Sequence, residues 1–450
     1  MTRLSYSLLA QLVSLAPAAL AGLTVDVNDA DSVKEAAALV AEDLMSFYTG
    51  DQPGEIPGVL PQPDYAFWTG GALWATLLDY RIHTGNTTFD KTILQGLLFQ
   101  TAEDDDYMPA NWTRSMGNDD QSFWALAAIL ADETGFADPA TGEPQWQTLA
   151  KNIFDEQSIE ERRASKCANS LRWQIFTFND GYNYISTAAN AAYFSLGAQL
   201  ARTMDNQTAA DLASQIYNDI WDLGLIDEDF SVYDGTNVED DCDEINKLQF
   251  SYTAALLLEG SAQMYNYTGQ NTWRTRVDGL VKRTIEVFFP DGAASDVACE
   301  PDNCNTDMTF YKAILHRSLG STMKLAPYTV EAILSTLKTS TAAAVAQCTG
   351  GDNGRMCGSV WTGKFDGTTG AGSQMSVLGA LISIMTTEAT IAPTNTTDSG
   401  SGGNGTTTGD SSGPSSSTSD SATTTGRGSR AAISVGAIMG ALLLGTLVLG

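Results

Sequence analysis

The chain has 450 residues and a formal charge of -30, with 24 lysines and arginines against 54 aspartates and glutamates. Phosphate binding depends on clustered cations, so this balance excludes nucleic acid and anionic lipid as partners held by charge and leaves a neutral sugar polymer compatible. With His83 and His316 as the only histidines, Ser/His and Cys/His chemistry has little to draw on. Carboxylates remain as acid and base, with no metal or other cofactor expected.

Residues 1–21 place one arginine ahead of an apolar stretch that closes on Ala19-Leu20-Ala21, the small-x-small pattern of a cleaved secretory signal. The alternative is an N-terminal membrane anchor, for which the run is short. Residues 22–391 then read as one catalytic domain without an internal linker, long for an ordinary domain and suited to a large single-core architecture.

Within that domain apolar periodicity predicts twelve helices, near 31–49, 67–83, 88–102, 121–134, 144–157, 183–203, 206–222, 245–267, 271–289, 307–320, 327–347 and 372–387. Several starts carry caps, with Asp31-Ser32 before the first, Asp205-Asn206 before the seventh and Pro327 inside the eleventh. Alternating β-branched runs are nearly absent, so a sheet protein is not expected. Helix hairpins arranged as two concentric rings satisfy this pattern. The stretches TGGALWATLLDY, STAANAAYFSLGAQLA and SYTAALLLEGSA supply the small residues that close contact within an inner ring requires. The expected fold is all-α, an (α/α)6 toroid of six hairpins. An irregular helical solenoid competes, because the hairpins share no visible repeat.

The segment Met116-Gly117-Asn118-Asp119-Asp120-Gln121 runs directly into the apolar helix SFWALAAIL. One reading is that Asp119 or Asp120 merely caps this helix and meets its dipole. The other is a catalytic pair. Retaining glycosidases hold two carboxyls about 5–5.5 Å apart, which neighbouring residues with Cα atoms about 3.8 Å apart can reach. Repulsion between them raises one pKa and leaves a proton available. Two other acidic runs, Glu103–Asp106 and Glu239–Glu244, read as solvated loop charge. Calcium is the alternative for the second, although it lacks EF-hand spacing. Trp68, Trp112, Trp173, Tyr182 and Trp361 are candidate platforms for sugar C–H faces, although each taken alone is more often a core residue. The loop from Phe178 to Tyr184, which carries Asp180, mixes rings with polar groups as a sugar subsite does.

Six cysteines allow fifteen pairings. The expected bonds are Cys299–Cys304, Cys348–Cys357 and, by remainder, Cys167–Cys242. Sequons at Asn86, Asn111, Asn206, Asn266, Asn395 and Asn404 agree with passage through the secretory pathway. Residues 392–430 form a disordered Ser/Thr/Gly-rich stalk by composition, with the anchor site inside it. Residues 431–450 are an apolar tail that fits a cleaved glycosylphosphatidylinositol (GPI) signal, or alternatively a C-terminal membrane anchor.

The segments GNDDQSFWALAA, RWQIFTFNDGYNYISTAANAAYF, INKLQFSYTAALLLEGSA, CNTDMTFYKAILHRSLG and CTGGDNGRMCG resemble, in the same order, the fungal branch of glycoside hydrolase family 76. These are the mannan endo-1,6-α-mannosidases of the defective-cell-wall type, and the likeness covers nearly all of residues 23–390. The resemblance implies an (α/α)6 toroid and a retaining mechanism with Asp119 as nucleophile and Asp120 as acid/base. It implies α-1,6-mannan or the mannose of a GPI core as donor, and water or wall β-glucan as acceptor. A place at the outer face of the cell membrane, through a GPI anchor, and in the wall goes with it. Two other classes stay open: a carbohydrate-binding wall scaffold without turnover, and a metal-dependent lyase or cyclase.

Overall fold

The computed structural model describes residues 22–386, all of them within one compact unit. The expected signal, stalk and tail lie outside the described residues, as do positions 387–391 of the expected domain. Twelve α-helices are present among those described: α1 (Ala30–Met45), α2 (Trp68–Thr84), α3 (Asp90–Phe99), α4 (Asn118–Glu133), α5 (Trp146–Gln157) and α6 (Thr187–Thr203), then α7 (Gln207–Asp222), α8 (Ser251–Thr268), α9 (Asn271–Phe288), α10 (Tyr311–Leu325), α11 (Val330–Val345) and α12 (Ala371–Ser383). Seven short strands and six 3₁₀ turns accompany them among the described residues, the strands being β1 (Arg163–Ala164), β2 (Ser170–Leu171), β3 (Tyr184–Ser186), β4 (Gly235–Asn237), β5 (Ile245–Asn246), β6 (Cys348–Gly350) and β7 (Met356–Cys357). No described helix is long and apolar enough to cross a membrane.

Burial sorts the helices into two rings. In α6 every residue from Thr187 to Ala201 is buried, and in α12 every residue is. Such helices have protein on all sides. By contrast α7 buries only a stripe of Ala209, Ala210, Ala213, Ile216, Tyr217 and Ile220, and turns its polar face outward. The even-numbered helices pack in the order α2, α4, α6, α8, α10, α12 and back to α2, which closes the inner ring. The odd-numbered helices lie outside, with α3, α5, α7 and α9 on the preceding inner helix, α11 between α10 and α12, and α1 against α12. This is the expected (α/α)6 toroid. Each outer helix reverses the chain, so all six inner helices run in one direction and present their N-termini at the same end.

Several differences from the expected elements have local causes. Residues 183–186 were expected to be helical, but Tyr184–Ser186 pair antiparallel with Gly235–Asn237, and β4 pairs in turn with β5. The eighth helix therefore starts at Ser251 rather than 245. These strands are two or three residues long, too short for period-two alternation to register in the sequence. The first helix is capped by Asp29, whose carboxylate accepts from the amides of Asp31 and Ser32. The seventh is capped by Asn206, as expected. Pro327 opens a 3₁₀ turn ahead of α11. All three expected disulfides are present, Cys167–Cys242, Cys299–Cys304 and Cys348–Cys357. The third joins β6 to β7 beside the ring closure, where Arg355 Nε donates to Asp43 Oδ2 of α1 at 2.9 Å.

Close approach between inner helices depends on side chains being absent. A Cβ on Gly71 of α2 would lie 2.8 Å from both the Phe123 carbonyl carbon and the Trp124 amide nitrogen of α4. Backbone atoms cannot yield as a side chain can. Gly71→Ala is expected to cost about 1–3 kcal/mol by overpacking and to lower the Tm. An unchanged Tm would show that α2 and α4 are not held together at this glycine.

Candidate active site

The inner helix N-termini gather acids and rings from distant parts of the chain. Helix α4 begins at Asn118, three residues earlier than expected, which puts Asp119 and Asp120 inside its first turn. The strand-like segment through Trp173 runs alongside. Gly117 pairs antiparallel with Gln174, and the Asn118 amide donates to the Trp173 carbonyl at 2.8 Å. Asn118 is fixed on several sides. Its Nδ2 donates to the Arg172 carbonyl at 2.9 Å, its Oδ1 accepts from Arg162 Nη1 at 2.6 Å, and its carbonyl accepts from Ser122 Oγ and Gln157 Nε2, both at 2.9 Å. The residue ahead of the acid pair therefore has little freedom.

Each acid accepts two hydrogen bonds. Asp119 Oδ1 accepts from the Asp120 amide and Oδ2 from Trp173 Nε1, both at 3.0 Å. Asp120 Oδ2 accepts from the Gly117 amide at 2.8 Å, and Oδ1 from the Trp68 amide, the first of α2, at 3.0 Å. The capping role foreseen for this pair thus falls to Asp120, which ties together the starts of two inner helices. Both side chains keep partial contact with solvent while protein surrounds them on most sides. Burial, and then the charge of Asp120, pushes Asp119 up to about 8. Burial raises Asp120 to about 6, with the like charge of Asp307 adding and the Gly117 and Trp68 amides opposing. The pair accordingly keeps a proton at neutral pH.

Two of the expected platforms touch the acids directly, Trp68 through its amide and Trp173 through its indole. Trp68 packs its ring on Phe123 at 4.9 Å, and Trp173 is 37% exposed. The other three have different surroundings. Trp112 leans on Phe67 at 5.2 Å, with its indole N–H buried and without a partner among the described residues. Tyr182 lies beneath the Arg172 guanidinium at 4.3 Å, and Asp180 is exposed on the same loop. Trp361 is 2% exposed and packs on His316, so it is a core residue and not a platform.

Sequence reasoning missed several residues at this end. Tyr252 and Tyr311 stack at 4.0 Å, both raised by burial and, further down the causes, by the Asp119 charge. Asp307 precedes Tyr311 in a 3₁₀ turn. Asp234 accepts from Tyr184 Oη at 2.5 Å and from Asn246 Nδ2 at 2.8 Å. Tyr252, Tyr311 and Asp307 open α8 and α10 or stand just ahead of them. The available signal was positional: in a toroid the first residues of every second helix share one end.

A cavity of about 260 Å³ lies at the same end, lined by Tyr65, Thr306, Thr309 and Gly370–Ser373. A second, of about 280 Å³, is lined by Asp79, Glu133, Glu259 and Arg317 from the later turns of the inner helices. Its lining also includes Ala72 and Phe123, which follow Trp68 and Asp120 on α2 and α4, and neither acid lines it. The loop 239–244, for which calcium was the alternative, is fastened by the Cys242 disulfide, by Lys166 on Asp241 at 2.9 Å and by Asn183 on Glu239 at 3.0 Å. Among the described residues no group of three or more His, Cys, Asp or Glu is arranged to hold a metal ion.

The raised pKa has a consequence for stability. An aspartate that holds its proton more tightly when folded favours the fold at low pH and withdraws that contribution as pH rises. For Asp119 the window runs from the ordinary 3.8 to about 8. Asp119→Asn removes the buried charge and is expected to raise Tm at pH 8, with the gain vanishing at pH 4. A variant less stable than the parent at pH 8 would contradict the electrostatics described here.

A family model for Glycosyl hydrolase family 76 matches residues 32–397. The chain is 41% identical over 363 residues to a putative mannan endo-1,6-alpha-mannosidase of Schizosaccharomyces pombe, covering 80% of this chain and 82% of that one. It is 40% identical over 362 residues to the mannan endo-1,6-alpha-mannosidase DCW1 of Saccharomyces cerevisiae, covering 80% of each. The crystal structure of Dfg5 from Chaetomium thermophilum in complex with glucosamine matches with a TM-score of 0.79 and 44% identity, over 80% of this chain and 92% of that one. With the toroid and the carboxylate pair at its inner-helix N-termini, these matches make the chain a glycoside hydrolase, a member of glycosyl hydrolase family 76.

Proposed function

We propose that this chain is a retaining, endo-acting glycosidase or transglycosidase on α-1,6-linked mannose, with Asp119 and Asp120 as its catalytic couple. The observation that carries the reading is the adjacency of two largely enclosed carboxylates, each oriented by two N–H donors and both raised by burial. A retaining mechanism needs one ionised and one protonated carboxyl at short range. The substrate class follows the names of the relatives, mannan endo-1,6-alpha-mannosidases.

In the proposed course Asp119 attacks the anomeric carbon of a mannosyl unit, while Asp120 gives its proton to the departing glycosidic oxygen. A covalent mannosyl-enzyme and a shortened chain with a free hydroxyl result. Asp120, now ionised, takes the proton of an incoming hydroxyl, whose oxygen displaces Asp119. Water as acceptor gives hydrolysis of mannan. A hydroxyl of wall β-glucan gives transfer, and with GPI-core mannose as donor this moves an anchored glycoprotein onto the wall. Trp68 and Trp173, with Trp112, Asp180 and Tyr182 farther out, are the proposed sugar contacts. The proposed setting is the outer face of the cell membrane, through a GPI anchor, and the wall.

This order of roles requires the proton on Asp120 when sugar is bound, whereas burial and the Asp120 charge by themselves favour it on Asp119. A glycosidic oxygen that accepts from Asp120 stabilises the protonated form of that carboxyl and draws the proton across. Asp119→Asn and Asp120→Asn are each expected to abolish turnover of α-1,6-mannooligosaccharides with unchanged helical circular dichroism; normal turnover by either would end the proposal. An epoxide-bearing mannoside that traps the nucleophile, followed by peptide mapping, is expected to leave its ester on Asp119. An ester on Asp120 would reverse the two roles.

A further inference from the structure

Phe178 is 64% exposed and lies stacked on Phe176, with ring centroids 5.4 Å apart and planes within 11°. Two parallel rings left in water on a mobile loop would mean little. Here the loop is firmly built. The Asn179 amide donates to the Phe176 carbonyl at 3.0 Å, the Tyr182 amide to Asn179 at 3.1 Å and the Tyr184 amide to Gly181 at 3.0 Å. Asn179 Nδ2 reaches back to Gln174 Oε1 at 3.0 Å. The rings are thus held in place before any ligand arrives, which lowers the cost of binding.

The same loop is joined to the acid pair. Gln174, two residues before Phe176, pairs with Gly117, and Trp173 donates to Asp119. Gly181, with φ of 88°, sits against the Trp173 ring so closely that a Cβ would come within 2.4 Å of it. From Gln174 to Tyr184 the loop carries no lysine or arginine and one acid, Asp180. A ligand for this shelf therefore offers a flat apolar face with hydroxyls around it and no charge, which describes a hexose ring. The Arg172 guanidinium over Tyr182 is engaged by the Tyr182 carbonyl and Asn183 Oδ1, at 3.1 and 3.3 Å, so the loop offers an anionic membrane surface or an acidic chain no cluster of cations.

We infer that the Phe176–Phe178 shelf is a distal sugar subsite, which holds a unit of the α-1,6-linked mannose chain several residues from the bond that is cut. The inference rests on the mannan-directed reading of the acid pair. A chain with freely rotating linkages gains from a contact remote from the reacting centre, because each ordered unit then contributes its own binding.

The test compares an α-1,6-linked trisaccharide with the corresponding hexasaccharide on the full chain. The Phe176→Ser/Phe178→Ser double variant is expected to lose about tenfold of the kcat/KM preference for the longer substrate, mostly through KM, as loss of stacked-ring contact implies. Phe99→Ser, which removes a ring 56% exposed on α3, is expected to keep that preference. An unaltered preference in the double variant overturns the shelf and points to a protein partner there. An equal loss on both substrates also overturns it, since the loop then acts only through Trp173. Calorimetric titration of the same oligosaccharides separates the two claims. A parent protein that binds the hexasaccharide more tightly than the trisaccharide but cleaves neither breaks the catalytic reading, and loss of that difference in the double variant still supports the shelf. A parent that binds both equally overturns it.

Discussion

Two carboxylates side by side in the first turn of α4 repel each other, and protein around them removes most of the water that would screen that repulsion. Four N–H donors hold them there, the amides of Asp120, Gly117 and Trp68 and the indole of Trp173. The donors fix the direction of each carboxyl. Burial still outweighs them and leaves both acids above their ordinary range. Much of the surrounding structure serves to deliver these donors. Helix α2 brings its first amide, the segment at Trp173 is pinned along α4, and Arg162 locks Asn118 from behind.

The toroid explains why the pair sits at this end. The inner helices share one direction, so their N-termini, with the positive ends of their dipoles, face the same cleft and favour negative charge. At the opposite end of the ring the acids need cations or hydroxyls instead. Asp79 accepts from Arg317 at 2.6 Å, Glu133 from Arg202 at 2.5 Å and Glu259 from Ser318 at 2.7 Å. Acids matched by arginine are structural. Acids matched by neutral N–H groups, and crowded by each other and Asp307, can hold and release a proton.

Much of this was legible in the sequence where the signal was local. The helices are long and periodic, and the cysteine spacings separated into two short loops and a remainder. The Asp119–Asp120 motif announced itself by standing directly ahead of an apolar helix. What it could not announce were its partners, since Trp68 and Trp173 lie 52 and 54 residues from the acids they touch. Strands β3 to β5 escaped notice because two or three residues give no period. Trp361 looked like a sugar platform by type, yet packing against His316 buries it. Tyr252 and the Asp307–Tyr311 segment are separated from the pair in the sequence by other helices, and only closure of the ring places them with it.

The central claim is that the pair holds one proton through neutral pH. Carbon-13 NMR titration of the aspartate side-chain carboxyls, with the two resonances assigned from Asp119→Asn and Asp120→Asn spectra, reads that directly. The account predicts coupled titration with a step that persists above pH 6. Two carboxyl resonances that both complete their change below pH 4 would contradict it.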